Sequence, residues 1–505
     1  MLAIYERYMH SIVKLADATR VYDVATITPL ARAHQLSERL NNNVYLKRED
    51  ELSIHAFKLR GAYQKISSLT AEEASKGVVA SSAGNHAQGV ALSAKKLGID
   101  SIIVMPLSTP KIKVNAVEQL GGKVVLHGDV YDDAYQYAKQ LEKQQDLVFI
   151  HPYDDIEVMA GQATIAKELL NQLENIDKVF IPVGGGGLIA GMATYLKHYA
   201  PRIRVIGVEP QDSPTLYEAL KQNKRVILPE VGRFADGVAV KQIGEKTFEI
   251  AKQVVDEVIL VSNDEICAAI KDIYEDVRSI SEPAGALATA GIKKYVETHN
   301  LTGERLVSVV SGANVNFDRL RYISERADIG EHNEAIIAVT IDEKPGSFLK
   351  FCQMLEDHSI TEFNYRYGSD TQARIFVGVS LNEGLSEKQA LLGRLSDSFD
   401  VLDMSDNSIA KTHIRYMVGG RSNCEHEVLY RFEFPERPGA LLNFLKKIGS
   451  HWNITLFHYR NHGADFGRVL IGLQAQDVTK LEQSFDELGY FYQNETDNKA
   501  YQYFL

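Results

Sequence analysis

The sequence predicts an α/β protein: parallel sheets covered by helices over roughly the first two thirds of the chain, then two copies of a small α+β module. Two patterns carry this reading. From about Asn43 to Ser311, short β-branched apolar runs alternate with longer segments of helical period, as parallel strands joined by crossover helices do. After about Gly330 a repeat takes over. EKPGSFLKF at 343–351 returns as ERPGALLNF at 436–444 with five of nine positions identical, and TEFNYR at 361–366 returns as TLFHYR at 455–460 with four of six identical.

The strand candidates of the first region are 44–46, 78–80, 102–104, 124–126, 148–150, 179–181, 205–208 and 306–310, each a Val/Ile-rich run. Between them Asn85 to Leu97 and Leu188 to Tyr199 have the length and period of helices. Sheets of this kind bind ligands at the carboxyl ends of their strands. In the tail, each repeat reads as a strand, a Pro-Gly turn opening a helix, and a strand ending near aromatic-x-Tyr-Arg; two copies are too few for a solenoid and fit a pair of packed α+β sandwiches.

Composition narrows the class. Across 505 residues, 55 Lys+Arg face 67 Asp+Glu, a net charge of −12, which disfavours a general nucleic-acid or anionic-membrane binder. The three cysteines, Cys267, Cys352 and Cys424, are too scattered for a disulfide framework or a thiolate zinc site. The opening MLAIYERYMHSIVKLADATR mixes charges among its apolar residues, and no apolar run reaches 18 residues. The expectation is a cytoplasmic protein.

Five motifs at expected strand ends carry chemistry. Gly184-Gly185-Gly186-Gly187 follows the strand KVFIPV and opens a helix at Leu188; glycines let successive N–H groups converge, and the helix start adds its positive dipole end, which suits a phosphate. The run matches neither the dinucleotide nor the Walker signature. Lys58, between Phe57 and Leu59 in SIHAFKLRGA, stands where a desolvated amine of lowered pKa serves a Schiff base to an aldehyde cofactor, although alone it reads as a surface charge. In Ser82-Ala83-Gly84-Asn85-His86, small residues admit a substrate carboxylate to backbone N–H groups, and Asn85 offers an amide to a phenolic oxygen or carboxylate; an N-cap explains the same residues. His86 reads as a structural hydrogen-bonding side chain. Ser311, in SGAN after the strand RLVSVV, places a hydroxyl where it meets a ring nitrogen without holding it protonated. In SEPAGA, Glu282 either faces a ligand or caps a helix. No convincing metal ligand set is present, including around Glu209.

In this order the five motifs resemble those of the fold-type II pyridoxal-phosphate enzymes, and the two-module tail narrows the resemblance to the biosynthetic threonine deaminases (threonine ammonia-lyases or dehydratases) with paired ACT-like regulatory domains. The resemblance covers nearly the whole chain and implies a catalytic domain over 1–330 and ACT-like modules over 335–408 and 427–499. It implies that Lys58 holds the pyridoxal 5'-phosphate aldehyde with Phe57 packed beside it, that Asn85 bonds the ring oxygen, that Gly184, Gly185, Gly186, Gly187 and Leu188 hold the phosphate, and that Ser311 meets the pyridine nitrogen. Ser82, Ala83, Gly84, Asn85 and His86 would line the substrate, L-threonine or secondarily L-serine. Lys58 would then take the Cα proton and the β-hydroxyl would leave, giving 2-oxobutanoate and ammonia at the first committed step of isoleucine biosynthesis.

Serine racemases are similar here but carry a serine at the position of Ala83, so elimination is expected over racemisation; a serine/threonine dehydratase or racemase with another effector is the alternative. The tail implies feedback by isoleucine, with valine as antagonist, through Phe363, Tyr365, Phe457 and Tyr459, in a homotetramer. Two rivals lack support. A nucleotide-dependent dehydrogenase needs G-x-G-x-x-G, and a decayed, non-catalytic sensor would have lost Lys58 or the glycine run.

Overall fold

The computed structural model of the chain describes residues 2–342, 351, 354–355, 358, 360–367, 372–416, 426–435, 452–460 and 466–504. It divides into two compact units, Met1–Phe317 and Asp318–Leu505. Among the described residues no helix is long and apolar enough to cross a membrane.

The first unit contains β1 (Leu30–Arg32), β2 (Asn43–Arg48), β3 (Val78–Ser81), β4 (Ser101–Met105), β5 (Lys123–Leu126), β6 (Val148–Phe149), β7 (Lys178–Pro182), β8 (Arg204–Pro210), β9 (Glu257–Val261) and β10 (Arg305–Val310). They form two sheets, one in the order β1-β2-β10-β7-β8-β9 and one in the order β5-β4-β3-β6. Every pairing is parallel except the edge pairing of β1 with β2. Central strands are buried on both faces, as every residue of β3 and β7 is, which is why they read as continuous apolar runs. Each fully buried aliphatic side chain there contributes about 1.5–3 kcal/mol.

The structure adds β1 and β9 to the expected set and ends β6 at Phe149 rather than Ile150. Three residues of antiparallel edge carry no periodic signal, which hides β1; β9 has the apolar run Val258-Ile259-Leu260-Val261 at a sheet edge. The helices Asn85–Leu97 and Gly187–Tyr199 lie where their period places them. Two glycines set the packing nearest the site. A Cβ on Gly161, in the helix Ile156–Gln172, would come within 2.5 Å of the Arg60 carbonyl, and one on Gly61 within 2.8 Å of the Val158 carbonyl. The helix Lys58–Ser67 is thereby seated backbone to backbone on its neighbour.

The second unit repeats itself in structure as in sequence. In the first half, β11 (Glu334–Asp342), β12 (Ile360–Tyr367), β13 (Gln372–Ser380) and β14 (Asp400–Asp403) form an antiparallel sheet ordered β12-β13-β11-β14. In the second, β15 (Glu427–Pro435), β16 (Asn453–Arg460), β17 (Phe466–Gln474) and β18 (Phe491–Asn494) are ordered β16-β17-β15-β18. The pairing register slips between Ile360 and Glu362 in one and between Ile454 and Leu456 in the other. Both slips fall on the threonine that opens TEFNYR and TLFHYR.

Period-two alternation sorts each sheet into two faces. On β11, Ala335, Ile337, Val339 and Ile341 face one core, while Ile336 and Ala338 join Phe376, Leu429, Leu470 and Phe504 in a core shared by both halves. The last helix, Lys499–Phe504, closes that core: Phe504 lies edge-on to Phe376 with centroids 5.5 Å apart, and Arg374 donates to the Tyr503 carbonyl at 2.7 Å. Residues 343–350 and 436–444, where the sequence places the Pro-Gly turns, and the side chains of Phe363, Tyr365, Phe457 and Tyr459 lie outside what is described.

Candidate active site

Lys58 opens its helix at the foot of a loop that is stitched to the end of β10. The Phe57 N–H donates to the Ser311 carbonyl at 3.1 Å, Ala313 N–H to the His55 carbonyl at 2.9 Å, and Ala56 bridges Gly312. Lys58 and Ser311 therefore share one wall. The Lys58 amine donates to the Pro152 carbonyl at 2.9 Å and lies 5.4 Å from the centre of the Phe57 ring. Burial lowers its pKa to about 8, against the opposing pull of the Glu282 carboxylate. Ser311 is buried and its hydroxyl reaches the Ala284 carbonyl at 3.3 Å.

The end of β3 supplies the facing wall. Asn85 donates to Glu282 Oε1 at 2.7 Å and accepts from Asn314 Nδ2 at 2.7 Å. The Ser82 hydroxyl accepts from the Gly84 N–H at 3.2 Å and so shapes the loop, while a Cβ on Gly84 would meet open space. The Ala83 side chain offers no polar atom. Buried His86 engages the Ile150 carbonyl through Nε2 at 2.9 Å, and burial, with the nearby Lys58 charge, pushes its pKa down to about 3. At neutral pH it is an uncharged donor that ties the loop to the neighbouring strand end.

The glycine run joins this group through Pro152-Tyr153. Gly186 adopts φ +89, and Cβ atoms on Gly185 and Gly187 would collide with Tyr153 at 2.2 and 2.9 Å. Thr215 and Thr247 hydroxyls bond the Gly184 and Gly185 carbonyls at 3.3 and 2.7 Å. With those carbonyls turned to the threonines, the opening N–H groups of Gly187–Tyr199, which have no partner within the helix, form an anion cradle at its positive end. Leu188 has its side chain in the main core, leaving only its backbone for a ligand.

A desolvated lysine amine, an amide donor, a buried hydroxyl and a glycine cradle make a donor set that fits an aldehyde-bearing pyridine monophosphate. Glu209, by contrast, is occupied as a helix cap: its carboxylate accepts from Thr215 Oγ1, Leu216 N and Tyr217 N at 2.8–2.9 Å, and burial raises its pKa to about 7. Among the described residues no cluster of His, Cys, Asp or Glu is arranged to hold a metal ion.

The family model for pyridoxal-phosphate dependent enzymes matches residues 21–312, and that for the C-terminal regulatory domain of threonine dehydratase matches twice, at 325–414 and 418–505. The chain is 56% identical over 497 residues to the biosynthetic L-threonine dehydratase of Pasteurella multocida, covering 97% of both chains. The chain belongs to the biosynthetic threonine dehydratase family. The Escherichia coli relative of that name is 52% identical over 488 residues, 96% of this chain and 95% of its own. Among solved structures of fold-type II enzymes, the processed threonine deaminase isoform 2 of Solanum lycopersicum superimposes with a TM-score of 0.63 at 47% identity, over 64% of this chain and 88% of that one. Maize serine racemase does so at 0.58 and 32%, over 64% and 98%. This threonine dehydratase family member is thus a pyridoxal-phosphate-dependent lyase with two regulatory domains behind its catalytic domain.

One feature near the site takes only Arg60 from a motif, SIHAFKLRGA. Lys47, Glu49, Arg60 and Glu168 are all buried, with Arg60 bonding Glu49 at 2.7 and 3.0 Å and Glu168 at 2.5 and 3.1 Å. Lys47 reaches Glu168 at 2.5 Å. Burial pushes the Glu168 carboxyl up, but Arg60 and Lys47 outweigh it and hold its pKa below the ordinary value. Two cations meet two anions from three separate stretches of sequence, a neutral cluster two residues from Lys58.

Proposed function

We infer that the protein is a threonine ammonia-lyase that converts L-threonine to 2-oxobutanoate and ammonia, the first committed step of isoleucine biosynthesis. The observation that carries this reading is the convergence of Lys58, Asn85, Ser311 and the glycine cradle in a chain that is 56% identical, nearly end to end, to a biosynthetic threonine dehydratase. Pyridoxal phosphate, when bound, supplies the electron sink that makes a Cα proton removable. Lys58 would hold its aldehyde; the N–H groups of Gly184 to Leu188 would hold its phosphate; Asn85 would donate to its ring oxygen; and the Ser311 hydroxyl would bond its ring nitrogen, where a carboxylate would keep that nitrogen protonated. Once the substrate amine has displaced it from the aldehyde, the Lys58 amine, its pKa lowered to about 8 by burial, would take the Cα proton. Ala83 presents no hydroxyl to return a proton from the opposite face, which favours loss of the β-hydroxyl over racemisation. Purified protein supplied with pyridoxal phosphate is expected to develop a visible absorption band and to release 2-oxobutanoate from L-threonine with no D-allo-threonine, the epimer that inversion at Cα would give. D-allo-threonine in quantity, or no keto acid, overturns the reading.

The second unit is a feedback sensor for isoleucine with valine as antagonist, in a cytoplasmic homotetramer with domains over 1–330, 335–408 and 427–499. The repeated strands that carry Phe363, Tyr365, Phe457 and Tyr459 support this assignment. A ligand that binds two states of the enzyme unequally shifts its activity by its differential affinity, about 5- to 150-fold in affinity terms for ordinary couplings. Tyr365→Ala and Tyr459→Ala, assayed separately, are each expected to leave activity without effector unchanged. In whichever module senses isoleucine, the substitution raises the half-inhibiting concentration by about 10-fold. Unaltered inhibition in both removes these aromatics from the sensor.

A further inference from the structure

Glu282 stands at the N-cap position of the helix Pro283–His299, yet its side chain makes no capping bond. Its Oε1 instead accepts from Asn85 Nδ2 at 2.7 Å. The carboxylate is buried, in a space kept open by glycine: a Cβ on Gly312 would come within 2.8 Å of Oε1. On the other side of Asn85, Asn314 Nδ2 donates both to the Ile54 carbonyl at 2.8 Å and to Asn85 Oδ1 at 2.7 Å.

These partners fix which way the Asn85 amide faces. A backbone carbonyl only accepts, so Asn314 turns its nitrogen toward Ile54, and the same nitrogen meets Asn85. Asn85 must then show its oxygen to Asn314 and its nitrogen to the carboxylate, which likewise only accepts. Both ends require the same orientation. One N–H of Asn85 remains beyond the bond to Glu282. Without the two anchors the amide is free to turn over and present an oxygen, which would repel a ring oxygen.

The same carboxylate bears on Lys58. That amine lies against the Phe57 ring and the Pro152 carbonyl, and the titratable groups whose charges interact with it are His86, His151 and Glu282. Burial lowers both histidines, to about 3 and about 4, so they are uncharged at neutral pH and the charge acting on the amine is that of Glu282.

We propose that Glu282 is a positioning residue of this site: bonded to Asn85, it clamps that amide with Asn314 so that a single N–H is left for the cofactor's ring oxygen, and from there its negative charge acts on the Lys58 amine. This rests on the pyridoxal-phosphate reading of the site. The test uses the full-length holoenzyme and its Glu282→Gln, Glu282→Ala and Asn314→Ala variants, with cofactor affinity, the absorption band and the pH profile of kcat all recorded.

Glutamine still accepts from Asn85 through its amide oxygen, so Glu282→Gln is expected to bind pyridoxal phosphate within about 3-fold of wild type. Removing the negative charge disfavours the protonated amine, so the acid limb of kcat is expected to move down by about one pH unit. Glu282→Ala and Asn314→Ala, which free the amide, are expected to weaken cofactor binding about 10-fold and to shift the band. A Glu282→Gln profile superimposed on wild type, or Ala variants with wild-type affinity and band, overturns the proposal while leaving the cofactor reading intact. A wild-type protein that gains no band with pyridoxal phosphate overturns that reading itself.

Discussion

Lys58→Ala is expected to lose at least about 10⁴-fold in keto-acid formation while remaining folded. One side chain both holds the cofactor's aldehyde and takes the Cα proton, and a positioned base alone is worth about 10²–10⁴-fold. The fold survives because the amine has a backbone carbonyl, Pro152 O, as its hydrogen-bond acceptor, and truncation removes a desolvated charge rather than a core contact. The cofactor-free protein gives a second readout. The Lys58 pKa, about 8 in the folded state, lies below the ordinary 10.5. Between those values the unfolded chain binds the extra proton, so stability rises as pH goes from about 8 toward 10.5. Urea midpoints of the two cofactor-free proteins, compared at pH 7.5 and 10, check this: the Lys58 component of the rise is absent from Lys58→Ala. Activity within 10-fold of wild type would remove Lys58 from the chemistry.

What the sequence discloses and what it hides separate along physical lines. Strands buried on both faces, such as β3 and β7, announce themselves as apolar runs, whereas three-residue β1 does not. The tail is legible as a repeat because equivalent strands must meet equivalent neighbours, down to a register slip at the same threonine in each half. At the site, the glycine run and the FKLRGA lysine are visible because each demands an unusual local residue. The environment of the lysine is not, since Pro152 and His86 follow distant strand ends and Glu282 comes from a loop between two helices rather than the strand end expected of SEPAGA. Glu282 shows the limit well. SEPAGA marks a loop that does something, but the choice between cap and site depends on where Asn85 lies, and only the assembled fold supplies that.

The cluster of Lys47, Glu49, Arg60 and Glu168 is the extreme case, because only Arg60 belongs to a motif, its three partners do not, and the cluster's effect on stability is expected to be the largest in the first unit. Removing one partner of a buried ion network leaves an uncompensated charge in a medium that solvates it poorly, at a cost of about 3–5 kcal/mol. Arg60→Met leaves Glu49 and Glu168 with Lys47 alone, and that loss is the expected change in a urea-unfolding measurement on the cofactor-free protein. Lysine is no substitute, because the guanidinium reaches both oxygens of Glu49 and both of Glu168 and an ammonium cannot. Arg60→Met with Glu168→Leu removes one charge of each sign, so the double variant is expected to be more stable than the sum of the singles predicts. The pH dependence has a fixed sign: with the Glu168 pKa below its ordinary value, its contribution is present above the normal carboxylate range and is lost as pH falls through the folded-state value. Function follows stability here, since Arg60 lies two residues beyond Lys58 on a helix whose backbone abuts Gly161. Any shift that relieves the unpaired carboxylates moves the lysine, so Arg60→Met is expected to weaken cofactor binding along with the fold. An Arg60→Met protein within about 0.5 kcal/mol of wild type would show that the site collapses around the gap without consequence.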